Sequence, residues 1–568
     1  MRSSVIPTDN DLRILGTLSR MPFSEHRELA AFAGLPSSST LDSLSRLHAG
    51  GLADFVRHTR SDTSRVRRWC LAPDGSTRPA AMLGTVAGTL NREQPLSAEW
   101  SAYLLQRLDV VAVLYRVAHE AALLCDGPIG WSWRQDDASD AFMDLADGRR
   151  FALLRLGRTL PSRDVRRRMG LLYGLQRELR CPSALLLVPG VLEAQRLRAD
   201  LRGRAIDAFV VVEDDLMLAI PGLPGWRALD SSKWMTLEQV MAASRRSQKV
   251  TDDHGPGRAS KPPAGLPDVS DDPHHLATRL TLPERRILDS LYDWPVMSVE
   301  HLGALLGMSG SMLKKSRADL TKRGLVCQMR IGETAELRQL TGTRLCLSPD
   351  GVRYLARRDG SDEEGLLERW GVVPDACGDG RLAVRGYRID GSRLRVLVRE
   401  LSHTDGVSDI LAMLSVASRE DADWRLLQML PPHRWERWFT YNGAWRCIRP
   451  DATLCLEHRG GPRAYFLEYE QSAVRPAAMR AKLEKYLWYF GSVDSRRDFD
   501  GRQARVLFVF TDEITADLFR SVAAREYPRP FPLLVSSLEK LTETGLLEKA
   551  WKSPWHLRGG YVSLAARH

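Results

Sequence analysis

Residues 448–490 read IRPDATLCLEHRGGPRAYFLEYEQSAVRPAAMRAKLEKYLWYF. The alternating run that follows Pro450 and the apolar run at 464–467 predict two strands joined by a turn rich in glycine and proline. The segment after the second strand has helical spacing and places Lys482 and Tyr486 on one face of a helix. This stretch therefore predicts a strand–strand–helix unit.

Three acidic residues, Asp451, Glu468 and Glu470, stand at adjacent ends of the two predicted strands. Hard cations such as Mg²⁺ bind one or two carboxylates together with water and phosphate oxygens. The cluster therefore predicts a divalent-metal site, with Mg²⁺ or Mn²⁺ as the expected ion. The alternative is that Asp451 is a turn residue and that both glutamates are solvated charges at a strand end.

The composition is that of a multidomain globular protein. The chain has 568 residues, 43% hydrophobic and 27% charged, and this length predicts roughly three to five domains. Lys and Arg (81) exceed Asp and Glu (71), and the net charge of +10 is compatible with a polyanionic partner. None of the eight cysteines forms a CxxC pair. Residues 1–10, MRSSVIPTDN, lack the apolar region expected in a signal peptide, and no apolar run reaches the length needed to span a membrane. We therefore expect a cytoplasmic protein with reduced thiols, no zinc site and no membrane partner.

The chain also contains an internal repeat. Residues 12–34, LRILGTLSRMPFSEHRELAAFAG, align without a gap on residues 285–307, RRILDSLYDWPVMSVEHLGALLG, at an offset of 273. Further along, WCLAPDG at 69–75 aligns with LCLSPDG at 345–351 after three additional residues. So many matches in register indicate a tandem duplication.

Each copy has the pattern of a winged helix-turn-helix. Helical spacing predicts three helices per copy, and a Gly-Leu pair ends the third helix and begins a β-hairpin wing. The predicted helices are 9–19, 24–33 and 37–49 in the first copy and 283–292, 298–306 and 309–323 in the second, with wings at 52–72 and 325–348. Such a fold places the third helix in the major groove of duplex DNA and the wing against its backbone.

Basic residues mark the expected DNA-contacting surface of each copy. They lie on the third helix in the second copy and mainly on the wing in the first. The candidate DNA-binding residues are Lys314, Lys315, Arg317, Lys322 and Arg323 in the second copy and Arg57, Arg60, Arg65, Arg67 and Arg68 in the first. Phosphate contacts of this kind produce affinity that is independent of sequence and sensitive to salt. The alternative is that these charges form a solvated face and that the winged helices bind protein.

A second kind of domain follows each winged helix. Apolar runs predict the order αβββαβ twice, and in the second copy the first three strands are expected at 435–440, 445–457 and 464–470. A segment without periodicity, rich in Pro, Gly, Asp and Ser, is typical of a linker. The sequence thus predicts a mixed α+β protein, with winged helices at 8–76 and 278–358, αβββαβ domains at 90–245 and 370–556, and a linker at 246–276.

The order of these motifs resembles known families. An αβββαβ domain with PD, ExE and KxxxY in succession resembles the PD-(D/E)XK nuclease superfamily, which has the restriction-endonuclease-like fold. More narrowly, residues 448–490 and the HTDGVSDIL run at 403–411 resemble the replication-relaxation family of mobile-element proteins. The resemblance implies double-stranded DNA as the partner.

The superfamily also implies roles for the acidic residues. Asp451 and Glu468 correspond to the two metal ligands, and a lysine in this superfamily polarises the attacking water or stabilises the developing charge. This sequence departs from the pattern because Glu470 stands where that lysine is expected. Lys482 would then supply the positive charge from the following helix. Asp451, Glu468, Glu470 and Lys482 are therefore the candidate catalytic residues.

The first αβββαβ copy lacks this acidic set. Aligned with a two-residue gap, it retains an aspartate, Asp140, but has Arg155 and Gly157 where the second copy has its two glutamates. We therefore expect no metal in the first copy. It would be a pseudo-nuclease that serves as a platform for the DNA backbone or as a structural partner.

Two neighbouring features are interpreted conservatively. Glu436 is expected to be a surface charge rather than a further acid of the site. The aromatic residues Trp435, Trp438, Tyr441 and Trp445 are expected to pack in the core, with base stacking as the alternative.

Three functions are compatible with the sequence. The first is a metal-dependent DNA endonuclease of a plasmid or integrative element, which nicks or processes DNA when replication or transfer begins. The second is a non-catalytic DNA-binding regulator or assembly factor that uses inactive nuclease folds. The third is a scaffold that binds other mobile-element or DNA-processing proteins.

Overall fold

A computed structural model describes most of the chain. The described residues are 7–59, 64–72, 98–125, 129–134, 138–177, 183–218, 222–231, 233–244, 276–330, 343–374, 383–384, 387–471, 476–527, 530–556 and 560–566. The linker predicted at 246–276 lies outside them, apart from its last residue. None of the helices in these ranges is both long and apolar enough to cross a membrane.

The N-terminal half of the chain contains helices and strands in the following order. They are α1 (Asp9–Arg20), β1 (Ser24–Glu25), α2 (His26–Ala33), α3 (Ser37–Ala49), β2 (Ala53–Thr59), β3 (Arg65–Leu71), α4 (Ala98–Gln106), α5 (Leu108–Leu124), β4 (Gly130–Trp133), β5 (Ala141–Asp144), β6 (Arg150–Arg155), α6 (Ser162–Arg177), β7 (Ser183–Val188), α7 (Val191–Leu201), β8 (Ala208–Val212), α8 (Glu213–Leu218), β9 (Trp226–Ala228), β10 (Trp234–Met235) and α9 (Leu237–Ala243).

The C-terminal half continues the series. Its elements are α10 (Leu276–Arg279), α11 (Leu282–Asp293), β11 (Met297–Ser298), α12 (Val299–Leu306), α13 (Gly310–Lys322), β12 (Val326–Arg330), β13 (Thr343–Leu347), α14 (Pro349–Asp359), α15 (Glu363–Trp370), β14 (Val372–Pro374), β15 (Ala383–Val384), β16 (Tyr387–Ile389), α16 (Ser392–Arg399), α17 (Leu401–Glu420), β17 (Trp424–Leu430), β18 (Arg437–Tyr441), β19 (Ala444–Ile448), β20 (Ala452–His458), β21 (Gly461–Glu470), α18 (Pro476–Gly491), α19 (Asp494–Arg497), β22 (Arg505–Phe510), α20 (Glu513–Glu526), β23 (Leu533–Ser537) and α21 (Leu538–Thr544). The mixed α+β class predicted from the sequence is confirmed.

The chain divides into two compact units. The first contains residues 1–189, 201–282 and 356–361, and the second contains residues 190–200, 283–355 and 362–568. The domain boundaries predicted from the sequence are finer than this division and stay predictions.

Each unit begins with three helices and a small sheet. In the first unit α1, α2 and α3 precede a sheet of order β1-β3-β2, and in the second α11, α12 and α13 precede a sheet of order β11-β13-β12. Apolar residues at helical spacing, such as Ile14, Leu18, Leu29 and Leu44, form the core of the first set. The six predicted helices of these regions lie within about two residues of the observed ones.

Unusual backbone geometry recurs at the repeat offset. Phe23 and Val296 both have positive φ, 64° and 67°, although neither is glycine. The amide of Phe23 donates to the carbonyl of Trp69, and the amide of Val296 donates in the same way to Leu345. Strained φ values are uncommon outside glycine, so their recurrence supports the predicted duplication.

A long-range side-chain contact also recurs. The guanidinium of Arg13 donates to the carbonyl of Ala33, and that of Arg286 donates to the carbonyl of Leu306 at 3.1 Å. In both places an arginine of the first helix binds the end of the second helix. The repeat in sequence therefore corresponds to a repeat in tertiary contacts.

The larger sheets share a topology. In the first unit the order is β10-β9-β8-β7-β6-β5-β4, and in the second it is β17-β20-β21-β22-β23. In the second unit β17, β20 and β21 are antiparallel neighbours, and β22 and β23 continue the sheet in parallel with β21. In the first unit β4 to β8 pair with the same succession of directions.

The predicted strands near Asp451 need correction. The segments expected at 435–440 and 445–457 contribute a separate hairpin, β18–β19, and only the end of the second segment enters the five-stranded sheet as β20. Pro450 has no amide hydrogen, so the chain stops pairing before it and starts a new strand after it. Strand β17 was missed because a bulge between Leu426 and Gln428 breaks the alternation of its side chains.

Helices cover both faces of the five-stranded sheet. Ala464 and Phe466 of β21 pack in a cluster that includes residues of α18 and α20, whereas Tyr465 and Leu467 pack in one that includes residues of α17. Because side chains alternate along a strand, Glu468 and Glu470 lie on the same face as Phe466, beneath α18.

Two glycine substitutions in the first unit are expected to change stability in opposite directions. Gly34 ends α2 with φ 60°, so Gly34→Ala should lower the free energy of unfolding by about 1–2 kcal/mol. Gly170 lies inside α6, where an added Cβ would meet nothing within 4 Å, so Gly170→Ala should raise it by about 1 kcal/mol. Urea unfolding measures both, and equal signs would contradict the assigned left-handed cap.

Candidate active site

Backbone hydrogen bonds hold Asp451 at the edge of the acidic cluster. Its amide donates to the carbonyl of Leu467 at 2.9 Å, and its Oδ2 accepts from the amide of Tyr469 at 2.8 Å. The bonds bracket Glu468 on the neighbouring strand. The register of β20 and β21 therefore brings the two carboxylates together, as the sequence predicted.

Helix α18 supplies the remaining polar side chains. The Nζ of Lys482 donates to Glu468 Oε2 at 2.8 Å and also to Glu470 Oε1. The hydroxyl of Tyr486 donates to Glu468 Oε1. Lys482 and Tyr486 are one helical turn apart, so both reach the same carboxylate. The structure thus brings Asp451, Glu468, Glu470 and Lys482 into one site.

Helix α17 approaches the cluster from the other side of the sheet. A Cβ on Gly406 would lie 2.0 Å from the ring of Tyr469, so only glycine permits this close approach. The approach brings Nε2 of His403 to 3.4 Å from Asp451 Oδ1. His403 was not predicted as a site residue, although it begins the HTDGVSDIL run that carried the family resemblance.

The same run fastens α17 to the preceding elements of the second unit. Asp405 pairs with Arg344 of β13, and Asp409 accepts from His301 of α12 at 2.7 Å. Each polar residue of the run thus has a separate partner. The run positions α17, and through it His403, relative to the acidic cluster.

Burial and mutual charge determine the protonation of the cluster. Burial, followed by the charge of Glu468, raises the pKa of the Asp451 carboxyl well above its usual range. Burial opposes the charge of Lys482, but the carboxylates of Glu468, Asp451 and Glu470 outweigh it and raise the pKa of the ammonium. Burial lowers the pKa of His403, so its imidazole is neutral near pH 7.

The donor chemistry suits a hard cation, but only a limited set of ligands is available. Lys482 already contacts two of the three carboxylates, and among the described residues no group of three or more His, Cys, Asp and Glu is arranged to hold a metal. Mg²⁺ and Mn²⁺ need fewer protein ligands because water and phosphate complete their shells. Asp451, with 22% of its side chain accessible, and Glu468 are the two carboxylates that could bind such an ion.

The first unit repeats the backbone of this site. The amide of Asp140 donates to Leu153 at 2.8 Å, and Asp140 Oδ2 accepts from the amide of Arg155 at 2.8 Å. Arg155 therefore corresponds to Tyr469, one position away from the predicted alignment. The counterparts of the two glutamates are Leu154 and Leu156, so the acids are replaced by apolar side chains rather than by Arg155 and Gly157.

An arginine pairs with Asp140 in the first unit. Arg107 donates to Asp140 Oδ1 at 3.0 Å. Arg107 has non-helical backbone angles and immediately precedes α5, and Glu400 has similar angles immediately before α17. An arginine thus stands in the first unit where the second has an acid, Glu400, near His403. The alignment of the two copies did not identify Glu400 as the counterpart of Arg107, because the helices that precede α5 and α17 differ in length and sequence.

Arg155 forms a buried ion-pair cluster. Its guanidinium lies 2.8 Å from Asp359 and 2.9 Å from Glu213, and all three side chains are buried or nearly so. Burial opposes the charge of Asp359, but Arg358 and Arg155 outweigh it and hold the pKa of that carboxyl well below its usual range. These arginines are paired with acidic residues inside the unit, so they are not available to contact a DNA backbone. This favours a structural role for the first αβββαβ copy over a role in DNA binding.

Asp359→Asn is expected to destabilise the first unit by about 3–5 kcal/mol near pH 7, because it leaves buried guanidinium groups unpaired. A depressed carboxyl pKa stabilises the fold above the unfolded pKa, about 3.9, and that contribution declines as the pH falls below it. The difference between wild type and variant should therefore be constant from about pH 5 to 8 and shrink below about pH 4. Thermal unfolding across pH measures this, with the exposed Asp147→Asn as control; an equal loss in both variants would contradict the buried pair.

The candidate DNA-binding residues of the second copy lie where predicted. Lys314, Lys315 and Lys322 are exposed on α13, and Arg317 is half-buried there. Arg323 ends the helix and pairs with the buried Glu284 at 3.3 Å, so part of its charge is used within the fold.

The β2–β3 hairpin of the first unit exposes only some of the arginines that were predicted to contact DNA. Arg57, Arg65 and Arg67 are exposed on β2 and β3, and Arg60 lies outside the described residues. Arg68 is buried and donates to the carbonyl of Phe23 and to Glu28. The prediction that Arg68 contacts DNA is corrected, because its guanidinium stabilises the interior of the unit.

Other sequence expectations near the site have mixed outcomes. Glu436 accepts from Arg449 at 2.7 Å and from the indole of Trp438, which agrees with a surface charge. Trp435 is buried in the core, but Trp438 and Trp445 are 48% and 71% exposed on the β18–β19 hairpin. Core packing therefore describes Trp435 and does not describe the two exposed tryptophans.

Comparison with known proteins bears on the second half of the chain. Residues 288–499 match the family model described as Replication-relaxation. The match contains most of the second copy of the repeat, α17 and the whole acidic cluster, and it supports the family resemblance for that segment. No curated protein and no solved structure matches the chain.

Proposed function

We propose that this chain is a DNA-binding, nuclease-like protein that acts in the replication or transfer of a plasmid or other mobile element. The acidic cluster of Asp451, Glu468 and Glu470 with Lys482 carries the proposal, because phosphodiester cleavage needs acids for a metal and a cation for the developing charge. The match to the replication-relaxation family supports the mobile-element role.

In this proposal Asp451 and Glu468 hold Mg²⁺ or Mn²⁺, which supplies Lewis-acid polarisation of the phosphoryl group when bound. Tyr486 orients Glu468 through its hydroxyl, and neutral His403 lies beside Asp451 as a positioning residue. Lys482 remains protonated in this environment, so it offers a full positive charge to the phosphate oxygens. Glu470 holds Lys482 in place and occupies the position where the superfamily has its lysine.

Duplex DNA would be bound through the two winged helices. Exposed lysines of α13 and exposed arginines of β2 and β3 present positive charge on these regions. The overall charge of +10 favours a polyanionic partner. Other mobile-element or DNA-processing proteins are proposed as further partners.

Wild-type protein is expected to nick supercoiled plasmid in the presence of Mg²⁺ or Mn²⁺. Asp451→Asn should reduce nicking to the level seen with a chelator, because the amide cannot bind the metal as a carboxylate does. The variant amide still accepts from Tyr469, so the fold is retained. Conversion of supercoiled to open-circular DNA on agarose gels measures the rate.

Glu457→Gln is the matched control for this assay. Glu457 lies at the far end of β20 and pairs with Arg425 at 2.7 Å, away from the acidic cluster. Its replacement should leave nicking unchanged. Equal activity of wild type and Asp451→Asn would eliminate the proposed cleavage reaction.

Phosphate contacts by α13 are tested through salt. Lys315→Gln should weaken binding to duplex DNA and reduce the slope of log affinity against log salt by about 1, since one phosphate contact is lost. Lys549→Gln removes an equal charge from an exposed position outside the winged helices and should leave the slope unchanged. Fluorescence anisotropy over a salt series gives both slopes, and identical slopes for the two variants would argue against α13 as a DNA-binding helix.

A non-catalytic DNA-binding regulator is the second candidate. It is favoured by one observation: Lys482 already pairs with both Glu468 and Glu470, as an internal cation would in a purely structural cluster. Under this function the salt dependence persists while metal-dependent nicking is absent. The two assays together therefore separate the candidates.

A further inference from the structure

A cavity of about 430 Å³ opens beside the acidic cluster of the second unit. Asp451, His403 and Glu400 line one part of it, and residues of α16, α17 and the segment before β18 complete its wall. The volume lies in the range of small-molecule sites and is far too small for a duplex. A ligand that fills this cavity therefore reaches Asp451 at one end.

The cavity contains a positive charge with no internal partner. Arg393 of α16 lines it, is half-buried, and makes no hydrogen bond or ion pair with the described residues. Burial and the positive charges of Arg449 and Arg369 lower the pKa of Arg393, which reflects a concentration of cations rather than a salt bridge. A half-buried guanidinium in such surroundings is stabilised by an anion, and its planar donors match phosphate.

Part of the wall is apolar and aromatic. Val396, Leu397, Val407 and Pro431 contribute aliphatic surface, and Trp370 contributes an indole. Apolar surface of this kind favours a nucleobase, because burying the base removes apolar area from water. Arg393 and Glu400 lie about two turns apart along α16, so the cation and the acids occupy different parts of the cavity.

We propose that this cavity binds a single unpaired nucleotide of a DNA strand, with its phosphate on Arg393 and its base against the apolar wall, next to Asp451. The inference rests on the proposed function, since it assumes that DNA is the partner. It goes further because it predicts a preference for DNA with an unpaired or extruded nucleotide. Extrusion costs less at an unpaired position, which makes such a position the preferred one.

The test compares two fluorescein-labelled duplexes, one fully paired and one with a single bulged nucleotide, by anisotropy in EDTA so that no metal-dependent cleavage occurs. Wild-type protein should bind the bulged duplex about tenfold more tightly, as expected for one stacked base. Arg393→Gln and Val396→Glu should each abolish most of this preference and leave the affinity for paired duplex nearly unchanged. Val396 is 48% exposed, so the second substitution is compatible with folding.

Arg395→Gln is the matched control, because Arg395 is exposed on the same helix and does not line the cavity. It should retain the preference. Absence of a preference in wild type, or its persistence in both cavity variants, would overturn the proposal. So would competition by free thymidine 5′-monophosphate without any preference for the bulged duplex, which would assign the cavity to free nucleotides.

Nicking is measured separately on the same variants, which distinguishes this inference from the proposed reaction. A preference for the bulged duplex without nicking would leave the cavity assignment standing and remove the reaction. Nicking by wild type without that preference would remove the cavity assignment and leave the reaction.

Discussion

The hydrogen bond from the amide of Tyr469 to Asp451 determines the geometry of the second unit's site. It holds the carboxylate at the end of β20 beside Glu468, and the close contact of Gly406 with Tyr469 brings α17 to the same point. Once the backbone is arranged in this way, three carboxylates share a partly buried volume with one ammonium. Burial, followed by the charge of Glu468, raises the pKa of Asp451 in this arrangement.

The first unit has the same backbone hydrogen bond, but the residues around its aspartate carry different charges. Asp140 accepts from the amide of Arg155 as Asp451 accepts from Tyr469, but Leu154 and Leu156 replace the glutamates and Arg107 neutralises the remaining acid. One aspartate and one arginine leave no excess charge for a metal. The comparison indicates that the strand geometry is a property of the fold, whereas the acidic cluster is a property of the second copy alone.

Much of the fold could be predicted from the sequence, because it depends on local periodicity. The three helices in each copy of the repeat, α6 and most central strands were predicted closely. Asp451, Glu468, Glu470 and Lys482 were predicted to meet because strand ends and a helix face follow from alternation and helical spacing. The strand predictions were wrong where the local pattern is interrupted, because β17 contains a bulge and Pro450 divides a run that looked continuous. The alignment of the two copies was wrong by one residue, so Arg155 was taken as the counterpart of Glu468 in place of Leu154.

The sequence by itself determined the α+β class, the repeat and the identity of the acidic residues, since these depend on residue type and spacing along the chain. Only the tertiary structure decided which charged side chains are available to bind a ligand. It buried Arg68, paired Arg155 with Asp359, and left Arg393 in a cavity without an ion-pair partner. The physical reason is that solvation and pairing of a charge depend on residues distant in sequence, so arginines that look alike in the chain have different roles in the fold.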